Sequence, residues 1–266
     1  MSEKLLLTND LNVACDYNQY ALFKVSAFNS AQGYLPGPEC PKCLNKGFVM
    51  FLINQNNYAY ETLKKCECAS IRSNMETISK SGLAAIMNDC TFDSFLTPSQ
   101  WQADLKNIAR QFLADTKGKW FYLGGQVGCG KTHLCAAIVG ELMKNGTDAK
   151  YMMWRDEIVA LKADITNSAY SDAIQKIKSV KVLYIDDFLK TQKDKPPSAA
   201  EMNVAFEIIN YRYNVRDSIT VLSSEKSLTE IGEFDEAVSS RISQRSKGYS
   251  LFIKNDSQNN YRLQLA

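Results

Sequence analysis

The sequence predicts an α/β fold in which a mostly parallel sheet lies between helices, preceded by a small domain built around four cysteines. Three observations lead there. From Thr91 onward, short apolar runs (WFYLGG, AKYMMW, VKVLYIDDF, SITVLSSE) alternate with amphipathic helical stretches, the pattern of strand–helix–strand crossovers. A glycine-rich loop directly follows the first run, and two close cysteine pairs precede the whole array. Composition agrees with a globular chain: of 266 residues, 45% are hydrophobic and 23% charged, which excludes disordered and collagen-like classes.

Lys and Arg number 31 against 29 Asp and Glu, a net charge of +2, so a uniformly basic nucleic-acid binder is excluded and any DNA contact has to come from a local patch. No apolar run reaches the roughly 18 to 20 residues of a spanning helix, and the opening MSEKLLLTNDLN lacks a secretory apolar core. The expectation is an intracellular, cytoplasmic protein with no membrane partner.

In chain order, residues 18–28 read as a short helix and GYLPGP, from Gly33, as a turn-rich run. GFVMFLINQNNYAY, with β-branched and aromatic residues around a polar centre, reads as a hairpin. Residues 69–88 carry Ile71, Met75, Ile78 and Leu83 at helical spacing and read as a helical connector. The expected domains are therefore residues 1–88 and 89–266. Within the second, a strand at residues 120–123 is followed by a helix at 132–144, then a strand, a helix, the IDD strand, a third helix, a further strand and a final strand-like YSLFIK.

Gly125-Gln126-Val127-Gly128-Cys129-Gly130-Lys131-Thr132 fits the phosphate-loop pattern GxxxxGK[ST], at a strand-to-helix junction where the mechanism requires it. Glycines allow backbone N–H groups to converge on phosphate oxygens, and the helix N-terminus faces the same anion. Lys131 is expected to reach the β- and γ-phosphates of ATP and Thr132 to ligate Mg²⁺. The strand Val182 to Asp187 ends in two carboxylates. A buried parallel strand delivers such residues to the ligand crevice, so Asp186 is assigned to the Mg²⁺ shell and Asp187 to the attacking water. His133, the only histidine, closes the nucleotide-binding run and is given a local hydrogen-bonding role. Cys129 and Cys135 read as small packing residues.

Cys40 and Cys43, then twenty-two intervening residues, then Cys66 and Cys68 form two thiolate pairs across the hairpin. Four thiolates suit a closed tetrahedral Zn²⁺ site that supplies folding energy to a small domain; cysteine redox chemistry is the alternative. Cys15 and Cys90 lie outside the spacing and read as free thiols. Lys42, Lys46, Lys64 and Lys65 flank the pairs, as a solvated face or as a DNA contact.

The loop GQVGCGKTHL, the strand ending IDD, the helix FEIINYRY, and TVLSSE followed by DEAVSSRI together resemble AAA+ ATPases of the DnaC/DnaI helicase-loader type, especially phage versions, with the transposition ATPase IstB a more distant cousin. The likeness runs from about Cys40 to Leu263. It implies an Mg²⁺-dependent ATPase that binds single-stranded DNA and loads a hexameric replicative helicase, the zinc domain docking on that helicase. By the same resemblance Glu225 stands where relatives carry an Asn or Asp sensor of the γ-phosphate, with Ser224 the neighbouring candidate. Arg241 resembles the arginine finger that self-association delivers to a neighbouring subunit, and Arg245 is its rival. The segment holding Phe92 and Phe95 resembles the one that packs near adenine, although both also suit a plain core. The absence of room for a full helical lid after YSLFIK fits the same branch. The competing readings are an IstB-like transposition helper, a nucleotide-gated DNA-binding adaptor with weak hydrolysis, and a small-molecule P-loop kinase.

Overall fold

The computed structural model describes residues 16–36, 39–55, 58–69, 72, 86, 89–145, 147–163, 168–191, 195–256 and 259–261. The chain divides into two compact units, Met1–Glu76 and Thr77–Ala266. That division falls before the expected 88/89 boundary because Ile86 and Cys90 pack against the core of the second unit. Cys15 and most of the expected connector helix lie outside the described residues.

In the first unit, helix α1 (Asp16–Ser30) contains the expected 18–28 helix, and strands β1 (Phe48–Gln55) and β2 (Tyr58–Lys65) form the expected hairpin. They pair antiparallel from Phe48↔Lys65 to Gln55↔Tyr58. Ala21 and Val25 of α1 bury against Leu52, with Leu22 and Met50 at the margin. The Asn29 amide donates to the Met50 carbonyl at 2.9 Å while its oxygen accepts the Met50 N–H at 3.0 Å, so the helix end is tied to β1 through both backbone groups.

The second unit holds α2 (Gln100–Ala114), β3 (Phe121–Gly125), α3 (Lys131–Lys144), β4 (Ala149–Met153), α4 (Trp154–Ala163), α5 (Ser168–Ser179), β5 (Val182–Asp186), α6 (Ala199–Asn214), β6 (Ile219–Ser224), α7 (Leu228–Phe234), α8 (Glu236–Arg245) and β7 (Ser250–Ile253). The five strands are all parallel, in the order β4-β5-β6-β3-β7. Every residue of β3, β5 and β6 is buried, which is why these strands read as continuous apolar runs rather than alternating ones. Successive side chains still face opposite layers. Phe121, Leu123, Tyr184 and Val221 join Leu105 and Phe112 of α2 and Leu134 and Ile138 of α3. Tyr122, Leu183, Ile185 and Leu222 join residues of α4 to α8, with Trp120, Trp154 and Phe188 among the largest buried side chains.

Three helical details go beyond the sequence reading. α2 precedes the first strand; its capping box, in which Ser99 N–H donates to Gln102 Oε1 at 2.7 Å, and its buried Leu105, Ala109 and Phe112 mark it as an amphipathic cover. Among the described residues the β4–β5 crossover contains two helices, and α7 and α8 both lie between β6 and β7.

Arg212 of α6 is fully buried and ties together the N-terminal ends of β5 and β6. Its guanidinium donates to the carbonyls of Lys178, Val180, Lys181 and Ile219 and to Thr220 Oγ1, at 2.7 to 3.3 Å. Arg212→Ala is therefore expected to lower unfolding stability by about 3 kcal/mol, since it strands several buried carbonyls. Urea melts showing a loss below about 1 kcal/mol would contradict this account.

Candidate functional site

Site geometry starts from the turn after β3. Gly125, Gly128 and Gly130 have φ of 146°, 79° and 89°, so the loop from Gly125 to Gly130 bends through conformations that side-chain-bearing residues disfavour. A Cβ on Gly128 would stand 2.1 Å from Asn260 Oδ1, and one on Gly130 3.1 Å from the Phe95 ring. Gly130 caps α3, which begins at Lys131. Lys131 is only 6% exposed, and its ammonium donates to the carbonyls of Gly125 and Gln126 at 2.8 Å each. Cys129 and Cys135 are fully buried in the core.

Thr132 Oγ1 donates to Asp186 Oδ1 at 3.2 Å, which joins the loop helix to the end of β5. Asp186, 6% exposed, also accepts from Tyr151 OH at 3.1 Å, from Tyr184 OH at 2.8 Å and from Ser223 Oγ. Burial, reinforced by the carboxylate, pushes both phenols above their ordinary pKa and keeps them donors. Ser223 Oγ in turn accepts the Asp187 N–H at 3.0 Å. Sequence reasoning did not single out Ser223, Tyr151 or Tyr184; in one dimension they read as strand filling.

A cavity of about 540 Å³ opens beside this network. Val127, Gly128, Gly130, Lys131, Thr132 and His133 line it from the loop, Asp187, Lys190 and Glu225 from the ends of β5 and β6, and Phe95, Leu96 and Tyr261 from flanking segments. Tyr261 was not foreseen: its N–H donates to the Gly128 carbonyl at 3.0 Å and its hydroxyl to the Leu96 carbonyl at 3.1 Å. His133 Nε2 lies 3.0 Å from the Thr91 carbonyl and 3.2 Å from Ser94 Oγ, with its ring edge-on to Phe95, so it holds the segment that forms one wall. Phe92 and Phe95 are both buried in the core; Phe95 also lines the cavity, and Phe92 carries the Arg110 guanidinium over its ring.

Lys190 donates to Asp187 Oδ2 at 2.8 Å and stands 2.8 Å from Glu225 Oε1. Burial disfavours its charged form, yet these two carboxylates outweigh it and hold the ammonium above the usual lysine pKa. Ser224 is turned elsewhere: fully buried, its hydroxyl donates to the Phe188 carbonyl at 2.8 Å. Arg241 is outside the cavity lining and stacks on Phe206 and Tyr213, with one donor to the Ala237 carbonyl at 2.8 Å. Arg245 lies over Trp120 and donates to the carbonyls of Gly118 and Val215 at 2.8 and 2.7 Å.

In the first unit Cys40, Cys43, Cys66 and Cys68 converge, their sulfurs all within 4.8 Å of one another. Cys43 and Cys68 sulfurs are 3.4 Å apart and those of Cys40 and Cys66 3.7 Å, near the roughly 3.8 Å edge of a tetrahedron with Zn–S bonds of about 2.3 Å. Burial pushes the Cys68 thiol up, whereas the Gly47 N–H and neighbouring thiols overcome burial to bring Cys43 down. Such crowded thiols suit a cation that several thiolates share. Arg72 braces the cluster's loop, donating to the Leu35 carbonyl at 2.6 Å and to Asn45 Oδ1 at 2.7 Å. Among the described residues no helix is long and apolar enough to cross a membrane.

A glycine loop on β3, a carboxylate-ended β5 and β6 inserted between those strands define a P-loop ATPase core of the AAA+ class. Residues 86–246 match the family model of the bacterial DnaA ATPase domain, and the chain belongs to this DnaA/DnaC-type family of AAA+ ATPases. It is 32% identical over 212 residues to the uncharacterized protein YqaM of Bacillus subtilis strain 168, a match covering 75% of this chain and 66%, just under two thirds, of that protein. It is 27% identical over 226 residues to the phage-like element PBSX protein XkdC of the same strain, covering 81% and 82%. The crystal structure of the DnaC helicase loader superimposes with a TM-score of 0.53 at 21% identity, covering 64% of this chain and 98% of that one, a likeness of fold.

Because Ser223 Oγ donates to the Asp186 carboxylate and accepts the Asp187 N–H, Ser223→Ala is expected to cost about 1 to 2 kcal/mol of stability and to weaken metal-dependent ligand binding as Asp186 loses a donor. Thermal melts combined with Mg²⁺ titrations of nucleotide binding check both effects.

Proposed function

We propose that the cavity binds ATP with Mg²⁺ and hydrolyses it, and that the chain acts as a loader of a hexameric replicative helicase. The observation carrying this reading is that Lys131, Thr132 and Asp187 line one cavity while Thr132 is hydrogen-bonded to Asp186. In the proposal, N–H groups from Gly125 to His133 and the start of α3 hold the β-phosphate. The Lys131 ammonium exchanges the Gly125 and Gln126 carbonyls for β- and γ-phosphate oxygens. Thr132 and Asp186 would hold Mg²⁺, which would supply positive charge against the phosphates. Asp187 orients a water toward the γ-phosphorus; the new P–O bond replaces the one to the β-phosphate, and ADP and phosphate leave. Glu225, on the cavity wall, takes the polar sensor role in preference to Ser224, whose hydroxyl is engaged by Phe188.

Arg241 serves as the finger for a neighbouring copy, because the guanidinium of Arg245 is committed to carbonyls of its own subunit. Cys40, Cys43, Cys66 and Cys68 of the first domain would hold one structural Zn²⁺, and this domain would dock on the helicase. Single-stranded DNA is the nucleic-acid partner and the cytoplasm the compartment. Support comes from membership of a replication ATPase family, from the fold shared with the DnaC helicase loader, and from the likeness to a phage-element protein.

The reading is tested by nucleotide binding and turnover with and without single-stranded DNA, beside pull-down of a hexameric replicative helicase. Lys131→Ala is expected to reduce ATP affinity on the order of 100-fold and abolish turnover, and Asp187→Asn to bind ATP but hydrolyse it slowly. Wild-type turnover in Lys131→Ala would overturn the phosphate-loop assignment. Metal analysis is expected to find about one Zn²⁺ per chain. Cys66→Ser is expected to release the metal and the helicase while ATP binding persists, and a folded, metal-free first domain would refute structural zinc.

A further inference from the structure

The turn that follows β5 has a construction that the phosphate loop and the paired aspartates do not explain. Asp187 and Leu189 both adopt left-handed backbone, with φ of 54° and 56°, although neither is glycine. Such residues persist only where the surroundings over-determine them, and they concentrate at functional sites. Here the determinants are visible: Phe188 N–H donates to the Ser223 carbonyl at 2.8 Å, the Phe188 carbonyl accepts from Ser224 Oγ at 2.8 Å, and the Phe188 and Leu189 side chains are fully buried. The turn closes when Lys190 N–H meets the Asp187 carbonyl at 2.9 Å. Its product is one lysine side chain folded back over the strand ends, in ionic contact with Asp187 of its own turn and Glu225 beyond β6.

All three groups line the same cavity as Lys131 and Thr132, and each side chain is about one third exposed. Left bare, two carboxylates from neighbouring strand ends would face a triphosphate, and a charge of that sign repels the more highly charged nucleotide more strongly. We propose that Lys190 is a positioning residue of the nucleotide site, tying Asp187 to Glu225 across the ends of β5 and β6 and shielding a bound nucleoside triphosphate from their charge. The proposal rests on the cavity taking a nucleotide. It adds a residue through which that cavity favours the triphosphate over the diphosphate. Lys190 acts through Asp187 and Glu225, so length and charge matter together: an arginine keeps both carboxylates paired, and a methionine keeps only the volume.

The test uses the full chain as wild type, Lys190→Met, Lys190→Arg, Glu225→Gln and the Lys190→Met/Glu225→Gln double variant, titrated with ATP and with ADP at fixed Mg²⁺. Lys190→Met is expected to weaken ATP relative to ADP on the order of tenfold and to lower kcat. Lys190→Arg is expected to restore most of both, and Glu225→Gln to return part of the ATP preference to Lys190→Met by removing one uncompensated charge. An equal loss for ATP and ADP, or none, would mean that Lys190 is a structural ion pair and overturn the proposal. If the wild type bound neither nucleotide, the nucleotide reading itself would fall. Urea melts of the same chains judge the tie independently. Destabilisation by Lys190→Met that shrinks in the Glu225→Gln background supports a direct coupling, and strictly additive losses defeat it.

Discussion

The second unit is organised around one buried carboxylate. Asp186 accepts hydrogen bonds from Thr132 at the start of α3, Tyr151 of β4, Tyr184 of its own strand and Ser223 of β6. A carboxylate so far from solvent is tolerated only when its oxygens are satisfied. Satisfying them here requires three adjacent strands and the loop-bearing helix to be in register at once. The phosphate loop, the end of β5 and the end of β6 are therefore mutually positioned by the same few bonds. Any displacement of β6 relative to β5 would break the Ser223 contacts that also fix the backbone of Asp187.

Charge is distributed around that centre in matched pairs. Lys131 is folded against loop carbonyls, and Lys190 answers the two carboxylates that face the cavity. The cavity offers cations and backbone donors beside carboxylates that are already paired, a combination suited to a polyanionic ligand accompanied by a metal ion. Apolar and aromatic groups, among them Phe95, Leu96 and Tyr261, supply the remaining wall. Among the described residues of the first unit, the core is a few side chains beside the four cysteines. A core so small has limited burial energy, and cross-linking through a metal is the ordinary physical remedy.

Much of this was legible in one dimension because local chemistry forces it. A glycine-rich turn ending in Lys131 and Thr132 between an apolar strand and a helix has few other physical uses, and β5 had to be both buried and parallel to read as an uninterrupted apolar run closed by two aspartates. The hairpin between the cysteine pairs was equally visible in its β-branched and aromatic residues. No helix is assigned to residues 100–114 from sequence, although Leu105, Ala109 and Phe112 carry the apolar face of α2, because the stretch lies between the expected 88/89 boundary and the first strong strand signal. The two helical segments described between β4 and β5 read as one because periodicity reports helical character more reliably than it counts separate helices.

The sequence by itself determined the class of fold, the phosphate loop, the aspartate pair and the candidate thiolate set, since each depends on residues close together in the chain or on spacing that only one local geometry uses. Tertiary structure alone decided which distant groups complete the site. Tyr151, Ser223, Lys190 and Tyr261 come from different segments, and nothing in their local sequence marks them; they meet because β6 is inserted between β3 and β5 and because the chain after β7 returns to the loop. The same packing gives different hydrogen-bond partners to two arginines that lie four residues apart on α8 and share the Tyr213 ring. Arg245 is committed to carbonyls beside β3 and β6, while Arg241 is laid across the aromatic face of α6. Strand order and side-chain direction are products of burying both faces of the sheet at once, a condition on the whole domain that no window of sequence contains.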